Sequence, residues 1–147
     1  MDPIIKYFTK FFIGPIFVFA VYVVTYGHVL PGEGFDGGAL ISTVFILCMI
    51  VFGREETRAH LNISVALIVS ALAALGMIAI GFLGFAGFRE GHRTFFDNFL
   101  APGIPRELFS GGIVPLLNLM LGIIIGAGFY ALFGYIVTFR KNGGERK

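Results

Sequence analysis

The 147-residue sequence has no tryptophan, a single cysteine and few charged residues, which make up 14% of the chain. Soluble domains carry about 25% charged residues, so this composition is not typical of a soluble fold. Because Cys48 is the only cysteine, the chain can form neither an internal disulfide nor a multi-cysteine metal site. Four long segments also lack Asp, Glu, Lys, Arg and His altogether: residues 11–26, 38–52, 61–88 and 111–139.

These uncharged segments predict transmembrane helices, because a helix needs roughly 20 apolar residues to cross a bilayer. We therefore predict an all-α membrane protein, a bundle of about four transmembrane helices with one interfacial loop, in a single domain over residues 1–147. The predicted helices cover about 3–27, 38–52, 61–85 and 112–139. The second is short for a full span, so it must begin inside the preceding turn, tilt little, or lie where the bilayer is thinned.

The long connection between the third and fourth helices mixes charged side chains with phenylalanines. Such a mixture is typical of a segment in the headgroup region, where a short amphipathic helix would fit. Lysines and arginines concentrate at both termini and in the second loop, so a multi-pass protein of the cell membrane with both termini in the cytoplasm is predicted. This orientation explains the net charge of +2 without nucleic-acid binding.

The uncharged helices also limit function, since ion-coupled transport usually relies on ionisable residues inside the membrane. We do not expect this chain alone to act as an antiporter or pump. No Ser/His/Asp constellation, paired carboxylates or metal-ligand spacing is visible, so no enzymatic activity, cofactor or metal is predicted. A membrane enzyme of lipid metabolism would need His, Asp or Glu gathered at one interface, whereas the predicted topology places His60 opposite His28 and His92.

The turn after the first helix is rich in glycine, and residues 32–37 match G-x-G-x-x-G. A dinucleotide fingerprint needs a strand before it, but here a transmembrane helix precedes it, so a glycine hairpin is favoured. The same turn gathers three ionisable side chains near one membrane face: His28, Glu33 and Asp36. Two interpretations stay open, an entry site for cations or protons and a solvated turn with ordinary surface charges, which the sequence favours.

The last helix carries a G-x-x-x-G pattern at Gly122 and Gly126. Small residues at this spacing let helix backbones approach closely, either within the chain's own bundle or against another subunit. Near the start of the same helix, Pro115 and Asn118 could leave a backbone carbonyl free for a hydrogen bond or an ion.

Two motifs stand in order along the chain: GH followed by PGEGFDGG within residues 27–38, and FSGGIVPLLN at residues 109–118. They resemble the G-H and P-G-G-G-F-Q-G-G turn and the later F-S-x-G-x-x-P-L-x-N signature of the MnhB/MrpB family, the B subunits of multisubunit Mrp-type Na⁺/H⁺ antiporters. The resemblance covers essentially the whole chain. It departs at Glu33, which replaces a small residue, and at Asp36, which replaces glutamine.

The resemblance implies roles for nine matched residues: Pro31, Gly34, Phe35, Gly37, Gly38, Ser110, Gly112, Pro115 and Asn118. It also implies an accessory subunit of a cation/proton-translocating complex that helps to form the sodium-translocating part. Its partners would be other Mrp-like membrane subunits, with Na⁺ and H⁺ as transported ions. Similar subunits also occur beside redox subunits in archaeal membrane-bound hydrogenase-type respiratory complexes. The alternative is a self-sufficient homo-oligomeric channel or small transporter, packed through Gly122 and Gly126.

Overall fold

The computed structural model describes residues 2–29, 32–53, 55–57, 61–86, 94–108 and 110–144. Four long helices dominate these ranges: α1 (Pro3–Tyr26), α2 (Gly34–Phe52), α3 (Ile63–Leu83) and α4 (Val114–Gly144). A 3₁₀ turn, Gly84–Ala86, extends α3. No strand occurs in the ranges described, and all four helices are long and apolar enough to cross a membrane. The predicted all-α fold with four spans is confirmed.

The second helix begins earlier than the sequence predicted, at Gly34 rather than near residue 38. Its 19 residues span about 28 Å at about 1.5 Å each, close to the roughly 30 Å of a hydrocarbon core. Of the three explanations for a short span, the structure shows a helix that begins inside the glycine turn. The last helix also differs from its predicted end at residue 139, since α4 continues to Gly144.

The helices pack in the spatial order α1, α2, α4, α3, because α2 lies against both α1 and α4, and α4 lies against α3. A small core forms where α2 ends and α3 begins, around Met49, Ile63 and Tyr130. Tyr130 is 2% exposed, and its hydroxyl donates to the Leu61 carbonyl at 2.7 Å. Its ring packs edge-on against Phe45, with centroids 5.8 Å apart. This core ties α2 and α3 to α4 at one end of the bundle.

The connection between α3 and α4 folds back onto the end of α3. The Phe96 N–H donates to the Gly81 carbonyl at 3.0 Å, and the Phe95 ring packs edge-on against Phe82. Residues 94–108 and 110–113 form turns, bends and irregular segments, so the described part of the connection contains no amphipathic helix. Residues 87–93 of the same prediction lie outside the described part of the chain. Since successive helices reverse direction, this connection and the α1–α2 turn share one end of the bundle.

Candidate functional site

Asn118 joins the two sequence motifs in space. Its Nδ2 donates to the Val24 carbonyl of α1 at 2.7 Å, and its Oδ1 accepts from the Gly34 N–H of α2 at 2.5 Å. The Val24 carbonyl belongs to the last turn of α1 and the Gly34 N–H to the first turn of α2, where backbone groups lack partners within their own helix. A single amide, 9% exposed, therefore satisfies one group at each of two helix ends.

The first turn of α2 contacts its neighbours backbone to backbone. The Gly34 backbone lies against the Asn118 carbonyl, with no room for a β-carbon. A β-carbon on Gly38 would lie 2.6 Å from the Gly122 carbonyl oxygen, and one on Gly37 would lie 2.5 Å from a Val24 methyl group. These glycines thus serve close helix approach rather than an unusual backbone conformation. Within the described part of the turn, only Gly32 has a positive φ, of 136°.

The G-x-x-x-G pair of α4 also lies inside the bundle. A β-carbon on Gly122 would meet the Val24 side chain at 2.8 Å, and one on Gly126 would lie 3.3 Å from the Gly38 carbonyl oxygen. Both glycines therefore face α1 or α2. The contacts with α1 and α2 therefore occupy the surface through which a homo-oligomer would pack at Gly122 and Gly126.

The start of α4 is held by Asn98, which the sequence analysis did not single out. Pro115 lies in the first turn of α4, where its missing N–H costs no helical hydrogen bond, and the Gly111 carbonyl four residues earlier lies before the helix. That carbonyl instead accepts from Asn98 Nδ2 and from the Val114 N–H, each at 3.3 Å. Asn98 Oδ1 accepts from the Ile113 N–H at 3.0 Å. A backbone carbonyl near Pro115 was predicted to be open to a hydrogen bond or an ion; the Gly111 carbonyl makes hydrogen bonds, and Asn118 acts through its side chain.

The remaining residues of the second motif fit this arrangement. Gly112 has a φ of 68°, and Asn98 occupies the space where a β-carbon would stand. The Ser110 hydroxyl donates to the Glu107 carbonyl at 2.7 Å and closes a local turn. In the first motif, the half-exposed Phe35 ring lies edge-on to Phe129, with centroids 6.1 Å apart. Pro31 lies outside the described residues.

His28 reaches the second motif from the end of α1. Its Cδ2 lies 4.0 Å from the position of a β-carbon on Gly111. Both ring nitrogens are buried, and neither has a hydrogen-bond partner among the described residues. No sequence pattern could predict this burial, because it depends on a connection that returns from a distant part of the chain.

Glu33 and Asp36 are exposed, at the N-cap and in the first turn of α2. Negative charges at a helix N-terminus interact favourably with its dipole, by about 0.3–1 kcal/mol at an exposed position. Among the residues described, no group of three His, Cys, Asp or Glu side chains is placed to hold a metal ion. His28, Glu33 and Asp36 thus share one end of the bundle without forming a common ligand set.

Comparisons with known proteins match this chain along most of its length. A family model described as "Domain related to MnhB subunit of Na+/H+ antiporter" matches residues 4–131, a range that holds both motifs. An uncharacterized protein of Methanocaldococcus jannaschii is 34% identical over 130 residues, 86% of this chain and 48% of the relative. A protein of Staphylococcus aureus named as antiporter subunit mnhB2 is 35% identical over 75 residues, 50% of this chain and 53% of the relative. The chain spans about half the length of these curated relatives.

Proposed function

Since this chain belongs to the MnhB family of Na⁺/H⁺ antiporter subunits, we propose that it is an accessory membrane subunit of a multisubunit Mrp-type Na⁺/H⁺ antiporter. It is not catalytic by itself, and its partners are other Mrp-like membrane subunits. The antiporter acts either alone or attached to a membrane-bound hydrogenase-like respiratory complex. Within it, this subunit helps to form the sodium-translocating part.

The proposal is carried by the absence of Asp, Glu, Lys, Arg and His from the inner parts of the four spans, within residues 11–26, 38–52, 61–88 and 111–139. A proton relay across a membrane requires Asp, Glu, His or comparable side chains at intervals through the hydrocarbon region. This chain supplies none there, so the proton path belongs to another subunit. The described helices instead offer wide apolar surfaces, including α3, where the outer side chains Leu72, Leu75 and Phe82 are all more than half exposed.

We further propose that both termini lie in the cytoplasm, which places the turn between α1 and α2 on the outer face. Glu33 and Asp36 would then hold negative charge at an outer entrance and attract Na⁺ towards it. The buried His28 nitrogens, which lack a described partner, would be completed there by water, an ion or a neighbouring subunit. These steps rest on the position of the three residues at one end of the bundle.

The test is gentle detergent extraction from native membranes, native electrophoresis, and mass spectrometry of the proteins that migrate with this chain. We expect large antiporter-type subunits in the same band, and hydrogenase or other iron–sulfur subunits if a redox module is attached. Migration with copies of itself alone would contradict the proposal and favour the homo-oligomeric channel. Gly122 and Gly126 lie inside the bundle, which argues against a homo-oligomer whose subunits pack through these two glycines.

A further inference from the structure

We propose that the side of α1 facing away from the bundle binds a transmembrane helix of another subunit, and that a Ser, Thr or Asn side chain of this helix donates to the Phe11 carbonyl. This interface rests on the proposed function, because the accessory role supplies a different subunit as the neighbour. Two features of α1 point to such a partner. One is a carbonyl that Pro15 leaves without its helical donor, and the other is an exposed glycine with no packing role in this chain.

The outward side of α1 is a continuous exposed surface. It consists of four residues at intervals of four, three and four along the chain: Tyr7, Phe11, Gly14 and Val18. This spacing places them on one face of the helix. All four are exposed, whereas the buried residues of α1 lie on the opposite side, towards the bundle. The outward side therefore takes no part in the packing of this chain.

Pro15 leaves a backbone acceptor on the outward side. It lies inside α1 and has no N–H, so the Phe11 carbonyl four residues earlier has no helical donor. A helix carbonyl lies on the side of its own residue and points towards the next turn, so this oxygen opens onto the outward side beside Gly14. Among the residues that the structure describes, no side chain donates to it, since the donating hydroxyls of α1 and α2 reach carbonyls at other positions.

The Phe11 carbonyl lies inside the hydrocarbon core. Phe52, the last residue of α2, marks one boundary of the core, and the Lys10 Nζ lies 5.7 Å from its ring centroid. Deeper in the core, Phe17 packs against Phe45 with ring centroids 6.2 Å apart. The Phe11 oxygen lies between these two levels along α1. Since an unpartnered backbone group is strongly unfavourable in hydrocarbon and lipid tails carry no donor, a neighbouring helix is needed to supply one.

Gly14 leaves a notch beside this carbonyl. No heavy atom lies within 4 Å of its β-carbon position, and its φ is not positive, so neither packing nor backbone conformation in this chain requires glycine here. Glycines 38 and 122, in contrast, lie directly against atoms of a neighbouring helix. Glycine is unfavourable inside a helix relative to alanine, but in a membrane it lets a second backbone approach closely. The notch therefore brings a partner helix within hydrogen-bond reach of the Phe11 carbonyl.

The required donor favours another subunit over a second copy of this chain. The outward side of α1 has no hydroxyl or amide near Gly14, so two copies of α1 would not complete each other's carbonyls. The hydroxyls of Thr43 in α2 and Ser70 in α3 already donate to carbonyls within the chain. Ser64 is the exposed serine of α3 that a second copy could offer. Ser64→Ala is therefore the variant that separates the two occupants.

The first experiment compares two substitutions that add a side chain at an exposed small residue, Gly14→Leu and the matched control Ala71→Leu on α3. The full chain is extracted with its partner subunits, and the apparent dissociation constant is taken from the fraction that co-migrates with them across a dilution series. We expect Gly14→Leu to weaken assembly by about tenfold, the scale of one overpacked contact. The chain without partners should be at least as stable as the wild type, because leucine is the better helix former. Equal losses for the two variants would overturn the proposal.

Pro15→Ala tests the hydrogen bond separately from the notch. The variant supplies an N–H to the Phe11 carbonyl, so the partner's donor loses its acceptor. We expect the chain without partners to become more stable and assembly to weaken by about threefold, the value of an average hydrogen bond between membrane helices. Assembly as tight as in the wild type would show that no partner donates to this carbonyl. Because both variants should stabilise the free chain, a folding defect cannot imitate the expected loss of assembly.

A photo-crosslinker at Val18 in native membranes identifies the occupant. We expect it to capture a helix of a different subunit, with a Ser, Thr or Asn at the level of Phe11, and we expect Ser64→Ala to leave assembly unchanged. Capture of lipid alone, or of a second copy with loss of assembly in Ser64→Ala, would overturn the proposal. If antiporter-type subunits co-migrate with the chain while the crosslinker captures lipid alone, this interface fails and the proposed function stands. If no such subunits co-migrate, both fail.

Discussion

The Asn118 amide makes hydrogen bonds to both α1 and α2, so its removal tests the packing of that end of the bundle. In Asn118→Leu the volume is nearly kept, but the Val24 carbonyl and the Gly34 N–H both lose their partner. Each buried group left without a partner costs about 1–3 kcal/mol. The two groups together would cost about 2–6 kcal/mol. Interhelical hydrogen bonds in membrane proteins average only about 0.6 kcal/mol, so we expect the lower part of this range, roughly 2–4 kcal/mol. A loss of this size changes the folding equilibrium at least about 30-fold.

Ser70 supplies the matched control on the other side of α4. Its hydroxyl donates to the Ile124 carbonyl at 3.0 Å, a group inside α4 that also has its own helical donor. Ser70→Ala therefore removes a hydrogen bond between helices without leaving a backbone group unpaired, and it should cost about 0.6 kcal/mol. The contrast isolates the effect of the helix ends from the loss of a hydrogen bond as such.

The measurement is reversible unfolding of both variants in mixed detergent micelles, with complex yield on native gels as a second readout. Asn118→Asp adds a third comparison, because a carboxylate oxygen can still accept from Gly34 but has no hydrogen to donate to Val24. We expect Asn118→Asp to be at least as unstable as Asn118→Leu, since an ionised carboxylate would also be buried. If Asn118→Leu were no less stable than Ser70→Ala, the bridge between helix ends would not hold the bundle together.

Two further predictions concern the start of α2. Gly34→Val should reduce complex yield strongly, because its side chain would collide with the backbone of α4. Glu33→Gln should leave the yield unchanged and raise the Na⁺ concentration for half-maximal antiport. Equal losses of yield for the two variants would mean that the turn acts through its charge rather than through its packing. Gly38→Ala should destabilise the chain, since its β-carbon would lie 2.6 Å from the Gly122 carbonyl oxygen, while Gly14→Ala should stabilise it by up to about 1 kcal/mol. A Gly38→Ala variant as stable as the wild type in thermal denaturation would show that α2 and α4 can move apart without loss of stability.

The four spans were predictable because a transmembrane helix is indicated by consecutive residues and needs no knowledge of its neighbours in space. A run of about 20 apolar residues without charge has one stable form in a bilayer, and α1 begins at Pro3, where the first helix was predicted to begin. The start of α2 was misplaced because glycine and acidic residues usually indicate a turn. Here the glycines at 34, 37 and 38 are inside the helix, where their missing side chains permit contact with two neighbours. Local propensity gave way to tertiary packing.

The site was only partly predictable for the same physical reason. Asn118 was named as part of the second motif and, with Pro115, as a source of a free backbone carbonyl, but the partners of its side chain lie 84 and 94 residues away along the chain. Asn98 gave no signal, because an amide in a charged loop is ordinary until its loop is known to return to Gly111 and Ile113. Hydrogen bonds between distant segments depend on how the helices pack, and this packing cannot be inferred from the patterns of a single sequence.

One row of residues on α4 makes its contacts with the end of α1, with α2 and with the start of α3. Asn118, Gly122, Gly126, Tyr130 and Gly134 follow at intervals of four, so they form a single ridge along the helix. The ridge meets the ends of α1 and α2, then the backbone of α2, then the start of α3, and a β-carbon on Gly134 would lie 2.6 Å from an Ile63 methyl group. The helix α3 also contacts α4 beside this ridge, where Ser70 donates to the Ile124 carbonyl. The sides of α1 and α3 that face away from the bundle stay exposed. This division of surfaces agrees with the proposed accessory role, in which the exposed apolar faces are covered by lipid or by partner helices.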